Sequence, residues 1–400
     1  MSQLLDILLW LIAVAIGLPT VVLVVQCAVA VLGRVRAGPA GNAEASRTGV
    51  AVLVPAHNEQ AGIAATIAGL RPQLAARDRL LVVADNCTDA TAERARAAGA
   101  EVVERHDPRR RGKGHALAFG VEHLRADPPD VLIVIDADCR AEPGTIQCLA
   151  RLVSELDVPH QALDLLDTPP VMPARLALSQ LAFVVKNHVR PTGLQRLGLP
   201  CPLMGTGMAI PFHALRQINL ATDHLSEDMR LGVELVIRGY PARFCPEAKV
   251  FSPMTADTGA AFKQRTRWEQ GHVHTSLTQT PRLLYHALRY ARPRLLAVAA
   301  DLLVPPLAML SLLTLAALLI TAGAAAAGAT PWPAVITAAS VGLLGATVIL
   351  AWARFGRARV PGRALLAIPV YMLWKVPIYI GFIVRRQRAW VRADRATEGP

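Results

Sequence analysis

Val50-Ala-Val-Leu-Val-Pro55-Ala-His57-Asn58-Glu59 is an apolar run that ends abruptly in polar residues, and its reading decides the fold. Val50–Pro55 has the length and composition of a buried strand, and Glu59–Leu70 behind it has helical spacing. The rhythm then repeats. Leu80–Ala84, Glu101–Glu104 and Val131–Ile135 read as strands, with helices at Thr88–Ala98 and Gly114–Leu124 between them. Apolar strands alternating with helices imply a mostly parallel, Rossmann-like α/β sheet covered on both faces. In such sheets ligands bind beyond the carboxyl ends of the strands. His57, Asn58 and Glu59 follow the first strand, Asp85 and Asp89 the second, and Asp136 and Asp138 the fourth. The plain alternative is turn chemistry, because Asn and Asp favour turns and helix caps, and Asp89 is well placed to cap a helix from Ala90.

Working outward, the chain is flanked by segments of membrane-grade hydrophobicity. Ile7 to Leu32 is almost uninterrupted Leu, Val, Ile and Ala, longer than the roughly 20 residues that cross a bilayer. A cleaved signal peptide is the rival, since Ala28-Val29-Ala30 resembles a cleavage site. Against it, no basic n-region precedes the run and the apolar core is too long. Arg34 and Arg36 follow, so the positive-inside rule puts the next residues in the cytoplasm. Leu295–Thr321 and Pro333–Trp352 are each long enough to span. With arginines before the first (282, 289, 292, 294) and after the second (354, 357, 359, 363), they read as an out-and-back hairpin. Ala364–Val384 is ambiguous: it carries Lys375 with Pro369 and Pro377 on either side, and a basic run follows from Arg385. A true span and a re-entrant or interfacial segment both stay open.

The formal net charge of +12 raises the question of nucleic acid. Most of the excess, however, lies in arginines beside the apolar segments, where it serves topology and attraction to anionic membrane lipid. No aromatic-interleaved basic stretch or nucleic-acid motif is present, so no nucleic-acid partner is expected. Cysteines 27, 87, 139, 148, 201 and 245 have neither CxxC nor Cys/His spacing, which gives no zinc site or disulfide framework and fits a reducing cytoplasm.

Three further strings carry chemistry. Asp136-Ala-Asp138 closes an apolar strand with two carboxylates, the ligands that Mg2+ or Mn2+ takes beside phosphate oxygens. Arg109-Arg-Arg-Gly-Lys113-Gly is a basic Gly-rich turn before a helix, suited to a phosphate though without Walker spacing, and otherwise a solvated loop. Glu227-Asp228 opens an amphipathic helix running through Met229–Ile237. Acidic residues there complement the helix dipole, with Ser226 placed to cap, or supply a general base that takes the proton of an acceptor hydroxyl. Downstream, Gln264, Arg267 and Trp268 share a helix face at i,i+3 and i,i+4. They bring a bidentate cation and an aromatic stacking surface together.

Val52-Leu-Val-Pro55-Ala-His57-Asn58-Glu59, Ala84-Asp85-Asn86-Cys87-Thr88-Asp89, Arg111-Gly-Lys113-Gly-His-Ala-Leu117 and Asp136-Ala-Asp138 together resemble the nucleotide-binding half of family 2 glycosyltransferases. Met204-Gly205-Thr206-Gly207-Met208, Glu227-Asp228 and the QxxRW-type string Gln264-x-x-Arg267-Trp268 resemble the acceptor half, in the branch of cellulose, chitin and hyaluronan synthases. The likeness covers roughly residues 50–275, and one departure is Ala84, where the family commonly has a first aspartate. The resemblance implies a GT-A-type fold and inverting, metal-dependent hexosyl transfer. The donor is a nucleotide sugar, expected to be a UDP-sugar; the acceptor is a saccharide or lipid-linked. It implies Asp228 as catalytic base, and Pro55, Glu59, Asp85, Lys113, Asp136 and Arg267 at the nucleotide sugar. Asp138, with Asp136 as ribose or metal partner, is implied for Mg2+ or Mn2+. Gly205, Thr206, Gly207, Glu227, Gln264 and Trp268 are implied at the acceptor.

The resulting layout is a transmembrane anchor at 1–33, a linker at 34–48 and a cytoplasmic glycosyltransferase domain at 49–275. An interfacial segment at 276–294, a transmembrane hairpin at 295–353, a further membrane-associated segment at 364–384 and a basic tail at 385–400 follow. That layout is multi-pass in the cell membrane and fits polysaccharide synthesis at the cell surface, with room for other export subunits. Two rivals are kept: transfer of a single sugar to a membrane lipid, and a non-catalytic membrane scaffold or transporter component that keeps the sheet domain for nucleotide sensing. The second is disfavoured because transporters need polar groups at mid-membrane, and only Lys375 qualifies clearly.

Overall fold

A computed structural model describes residues 2–33, 49–167, 172–224, 226–254 and 258–384. The expected linker at 34–48 (with Arg34 and Arg36) and the basic tail at 385–400 lie outside these residues. The described chain divides into two compact units. One comprises residues 49–167, 200–224, 226–254 and 258–271; the other comprises 2–33, 172–199 and 272–384.

The first unit is an eight-stranded mixed sheet. Its strands are β1 (Val50–Ala56), β2 (Arg79–Asp85), β3 (Glu101–Arg105), β4 (Val131–Val134), β5 (Arg140–Ala141), β6 (His160–Leu166), β7 (Met208–Pro211) and β8 (Arg243–Ser252). They lie in the order β3-β2-β1-β4-β7-β6-β8-β5. β3, β2, β1 and β4 are parallel, as the apolar runs require. The register places Val54 beside Val82 and Leu53 beside Val134. β7 runs antiparallel to both β4 and β6, while β6 and β8 are parallel with a register slip after Ala162. Val52, Val54, Val82 and Ile133 point into a fully buried core with Ile63, Ile67 and Leu70 from the helix Ile63–Leu70. Each such side chain contributes roughly 1.5–3 kcal/mol on burial. The expected strands match to within two residues. The expected helix Glu59–Leu70 starts late, because Gly62 and Ile63 both donate to the Glu59 carbonyl and make residues 59–62 a turn.

The second unit is helical. Among the described residues three helices are long and apolar enough to cross a membrane: Gln3–Leu32, Leu307–Ala326 and Trp332–Gly356. The span expected at Leu295–Thr321 is corrected by proline. Helix Arg294–Leu302 stops before Pro305-Pro306, whose missing N–H groups break the ladder, and a new helix starts at Leu307 with Pro306 as its N-cap. At the ambiguous 364–384 segment, a short 3-10 turn Gly362–Ala367 leads into the helix Ile368–Val384. Lys375 is buried there, with its ammonium 5.7 Å and 5.6 Å from the ring centres of Tyr371 and Trp374.

Residues 172–199, which the sequence layout included in the 49–275 domain, fold with the helical unit instead. Helix Arg190–Arg196 explains why. Arg190 donates through Nε to Gln26 Oε1 (2.9 Å) and through Nη2 to Asp301 Oδ1 (2.7 Å), and Gln26 Nε2 closes the ring on the same Asp301 oxygen (2.8 Å). Such a buried charged ring costs desolvation unless every member is paired, and here each one is.

Candidate active site

The carboxyl ends of β1, β2 and β4 open on one crevice of about 230 Å³. Tight local geometry holds its walls. Asn58 and Asn86 take left-handed backbone conformations (φ 55° and 51°), which Asn tolerates better than other non-glycine residues. The first two loops are then stitched together: His57 Nδ1 donates to the Asp85 carbonyl (2.7 Å) and the Thr88 N–H to Asn58 Oδ1 (2.7 Å). Asp89 accepts the Thr91 N–H at 3.0 Å, one residue ahead of the N-cap, which is Ala90.

Pro55, Glu59, Asp85, Lys113, Asp136, Asp138, Gln264, Arg267 and Trp268, scattered over more than half the chain, all line this crevice. The Asp85 carboxylate is fixed by Arg105 Nη1 (2.6 Å) and Asn86 Nδ2 (3.0 Å). Lys113 is the hub. Its ammonium pairs with Asp136 and donates to the Gly205 carbonyl at 2.8 Å, so it bridges the donor-side strand ends and the glycine loop. Burial works against its charge, but Asp136 and Glu227 outweigh that and hold the ammonium above its ordinary range. Burial, with Asp138 and Asp228 nearby, moves the Asp136 carboxyl the other way from what its Lys113 partner favours: upward.

Gly205, Thr206, Gly207, Glu227 and Asp228 do not line this crevice; they form an adjoining cluster. A Cβ on Gly205, at φ 90°, would lie 3.4 Å from Asp228 Oδ2 and 3.6 Å from Lys113 Nζ, so both side chains border the glycine loop. Thr206 is buried and its hydroxyl accepts the Asp136 N–H (3.2 Å), so it positions a carboxylate. Glu227 and Asp228 are the first two residues of helix Glu227–Ile237, and Ser226 occupies the N-cap without a side-chain bond. Glu227 faces a separate small recess shared with Gly114 and Arg230, and burial beside Asp228 raises its carboxyl to about 7.

The donor set fits a hard divalent cation. Asp136, Asp138 and Cys139 bring ligand atoms within 4.8 Å of one another. Burial keeps the Cys139 thiol protonated, which leaves two carboxylates, the number Mg2+ or Mn2+ takes when phosphate oxygens supply the rest.

Several residues at work here had no sequence signal. Gln161 lies fully buried in β6. Its amide donates to the Thr206 carbonyl (2.8 Å) and accepts the Met204 N–H (2.9 Å), which fixes the glycine loop. Arg105 orients Asp85, and Ser252 and Pro253 close the far wall of the crevice. Buried polar residues inside strands are the only sequence trace of Gln161, and periodicity scores them against a strand.

Comparison with known proteins places this arrangement. Residues 47–271 match the glycosyltransferase-like family 2. A probable glycosyltransferase of Bacillus subtilis (strain 168), YdaM, is 25% identical over 249 residues, 57% of this chain and 56% of the relative. Glucosyl-3-phosphoglycerate synthase of Mycobacterium tuberculosis (strain ATCC 25618 / H37Rv) is 38% identical over 106 residues, 24% of this chain and 32% of that protein. The matched segment thus spans about half of the one relative and a third of the other. Among solved structures, the mannosyltransferase PcManGT from Pyrobaculum calidifontis, in complex with GDP-Man and Mn2+, aligns with a TM-score of 0.55 at 17% identity. The alignment covers 95% of this chain and 100% of that one. The likeness shows a shared GT-A-like fold with apolar helices.

Proposed function

The chain belongs to the glycosyltransferase-like family 2, and from that premise we propose that it is a membrane-bound inverting glycosyltransferase. It moves a hexose from a nucleotide sugar, by our reading a UDP-sugar, to a saccharide or lipid-linked acceptor in cell-surface polysaccharide synthesis. The observation that carries this reading is the convergence of Asp85, Asp136, Asp138, Arg267 and Trp268 on one crevice, with Asp228 bordering the glycine loop whose Gly205 carbonyl accepts from Lys113.

In this reading Asp85 and Glu59 receive the nucleoside, and Arg267 bonds the diphosphate bidentately. Asp138, with Asp136, would hold Mg2+ or Mn2+, which neutralises charge on the diphosphate as it leaves. Asp228 accepts the proton of the acceptor hydroxyl as its oxygen bonds to the anomeric carbon. The bond from that carbon to the diphosphate oxygen breaks with inversion, so an α-linked donor gives a β-linkage. Trp268 stacks on the sugar acceptor, and Gln264 and the Gly205–Gly207 loop approach it. Three candidate spans among the described residues support membrane residence, and the arginines that flank the apolar segments in the sequence support a catalytic unit on the cytoplasmic side. Three or four membrane segments, depending on whether residues 364–384 cross, are also few for a polymer conduit, which favours, as second reading, a single sugar transferred to a lipid or a polymer exported by partner subunits.

The test is to incubate the full-length protein in nanodiscs with a panel of UDP- and GDP-sugars, Mg2+ or Mn2+ and membrane lipids, and to measure nucleoside diphosphate release. Release from one donor, lost on chelation, is the expected result, and product length then separates polymer from single transfer. Nucleotide binding without release under any acceptor would favour the non-catalytic scaffold. Absence of both binding and release would overturn the reading.

A further inference from the structure

The catalytic unit holds a pair of thiols that the proposed reaction does not use. Cys148 lies in the first turn of helix Thr145–Leu156 and Cys245 in β8, and their sulfurs are 3.6 Å apart. Both are free cysteines. We propose that Cys148 and Cys245 form an oxidant-sensitive dithiol, a modification site at which a peroxide closes a reversible intramolecular disulfide.

Geometry brings the pair within reach of a bond. A disulfide has an S–S length near 2.05 Å, so the sulfurs must approach by about 1.5 Å. Cys245 is the last paired residue of β8 before a break in the ladder. The pairing of β6 with β8 runs from Ala162 opposite Cys245 directly to Leu163 opposite Lys249, so residues 246–248 bulge out of the ladder. Bulged backbone lacks the ladder bonds that would hold it in place. On the other side, Cys148 is half-buried, while Cys245 is buried behind it. This exposure suits an attacking thiol in front of a resolving one.

The local electrostatics run in the direction of the roles that exposure gives. Hydrogen bonding from Cys245 lowers the Cys148 thiol to about 7 against its burial, and the Arg151 guanidinium one turn along the helix adds to the effect. The first turn of a helix favours a thiolate as well. Cys245 is shifted upward by the same hydrogen bond and by burial, so it stays protonated. A thiol that titrates near ambient pH combines a large thiolate fraction with retained nucleophilicity. Burial pushes Cys87 and Cys139 the opposite way, which sets Cys148 apart from them.

The chemistry balances with the peroxide as oxidant. The Cys148 thiolate attacks one peroxide oxygen, the O–O bond breaks, and hydroxide leaves as Cys148 becomes a sulfenic acid. The Cys245 sulfur then attacks the Cys148 sulfur, losing its proton as the S–O bond breaks and water departs. Overall, two thiols and one hydrogen peroxide give one disulfide and two waters. A reductant thiol reverses the bond by exchange, in keeping with a transient disulfide in a reducing compartment. The proposal is independent of the donor and acceptor assigned above.

The experiment treats the full-length protein in nanodiscs with hydrogen peroxide at neutral pH, then maps thiols and cross-links by mass spectrometry without reduction. The expected result is loss of two thiols, a peptide pair joining Cys148 to Cys245, and return of both thiols with dithiothreitol. Cys148→Ser is expected to slow peroxide consumption at least tenfold. Cys245→Ser is expected to keep the fast first step but stop at a sulfenic acid that dimedone traps on Cys148. The proposal is overturned by cross-links between other cysteines, by Cys148 passing to sulfinic acid in the wild-type chain, or by reaction no faster than glutathione's. If Cys148→Ser does not fold, the wild-type map and the dimedone product of Cys245→Ser still decide.

Discussion

The half of the sheet made by β3, β2, β1 and β4 is parallel, and its central strands are apolar throughout, with polar groups confined to the strand ends. The half made by β7, β6, β8 and β5 mixes directions and buries polar side chains inside its strands, among them His160, Gln161 and Asp164. The two halves serve the site differently. In the parallel half the residues at the crevice are themselves the candidate donor ligands. In the mixed half, buried groups hold other parts in place: Gln161 fixes the Gly205–Gly207 loop, and Asp164 accepts the Ser252 hydroxyl (2.7 Å) at the crevice wall. One half offers carboxylates at its rim, and the other builds a support for the glycine loop and the crevice wall.

The largest expected effect separates the halves by what they do to binding and to turnover. Asp228→Asn removes the proton acceptor and keeps the shape, so transfer should fall by about 10²–10⁴-fold while nucleotide affinity stays within about threefold. Asp138→Asn should do the reverse, losing most metal-dependent nucleotide binding. Equilibrium binding of the nucleoside diphosphate with and without Mn2+, set beside initial rates, reads both. Equal loss of nucleotide binding in the two variants would erase the distinction between the strand ends of the parallel half and the Asp228 cluster that the mixed half supports through the glycine loop.

Next in size is the glycine loop. Gly207 has φ 67°, and a Cβ there would stand 2.6 Å from the Ala162 Cβ. Gly207→Ala combines a strained backbone with overpacking, for about 2–4 kcal/mol of lost stability. Because Gly207 N–H donates to the Val134 carbonyl (2.9 Å), the strain falls where β4 meets the loop. Thermal unfolding of the variant should show the loss, and wild-type stability would mean that the loop does not need its left-handed turn.

Gln161→Leu is expected to cost less, about 1–3 kcal/mol, by leaving the Thr206 carbonyl and the Met204 N–H without their buried partner. Transfer should fall further than nucleotide affinity, since the released loop lies beside Asp228 rather than in the donor crevice. A loss of nucleotide affinity as large as the loss of rate would show that the mixed half supports both sides of the site.

The same contrast explains what the sequence made legible. β1, β2 and β4 follow from their apolar runs alone, and with them the positions of Asp85, Asp136 and Asp138 at strand ends. β6 does not, because Gln161 and Asp164 interrupt its pattern, and only tertiary partners make their burial tolerable. β8 contains Pro246, which argues against a strand until the bulge after Cys245 takes the proline out of the ladder. The Asp228 cluster is visible as a motif, but its place beside Gly205 depends on a loop held by residues that carry no pattern. The span beginning at Leu307 was misplaced because hydropathy runs smoothly through Pro305-Pro306, where the backbone does not.

The smallest effect tests the mixed half through protons. Glu227 is half-buried beside Asp228 and is raised from 4.5 to about 7. Between those values the unfolded chain has lost this proton and the folded chain keeps it. Its contribution to stability is therefore complete below pH 4.5, shrinks as pH rises and is gone above about pH 7. With solvent screening part of the interaction, the change amounts to about 1–2 kcal/mol. His160, buried in β6 and lowered from 6.5 to about 4, has the opposite sign: its stability is complete above pH 6.5 and is lost as pH falls toward 4. The two slopes oppose each other in the wild-type chain, so its melting temperature should vary little across pH 5–6.5. Glu227→Gln removes one slope and leaves the other, and the variant should gain on the wild type steadily from pH 4.5 to 7, then run parallel to it. A constant offset across that range would show that Glu227 ionises in the folded chain as it does in water, and that the recess behind Asp228 is open to solvent.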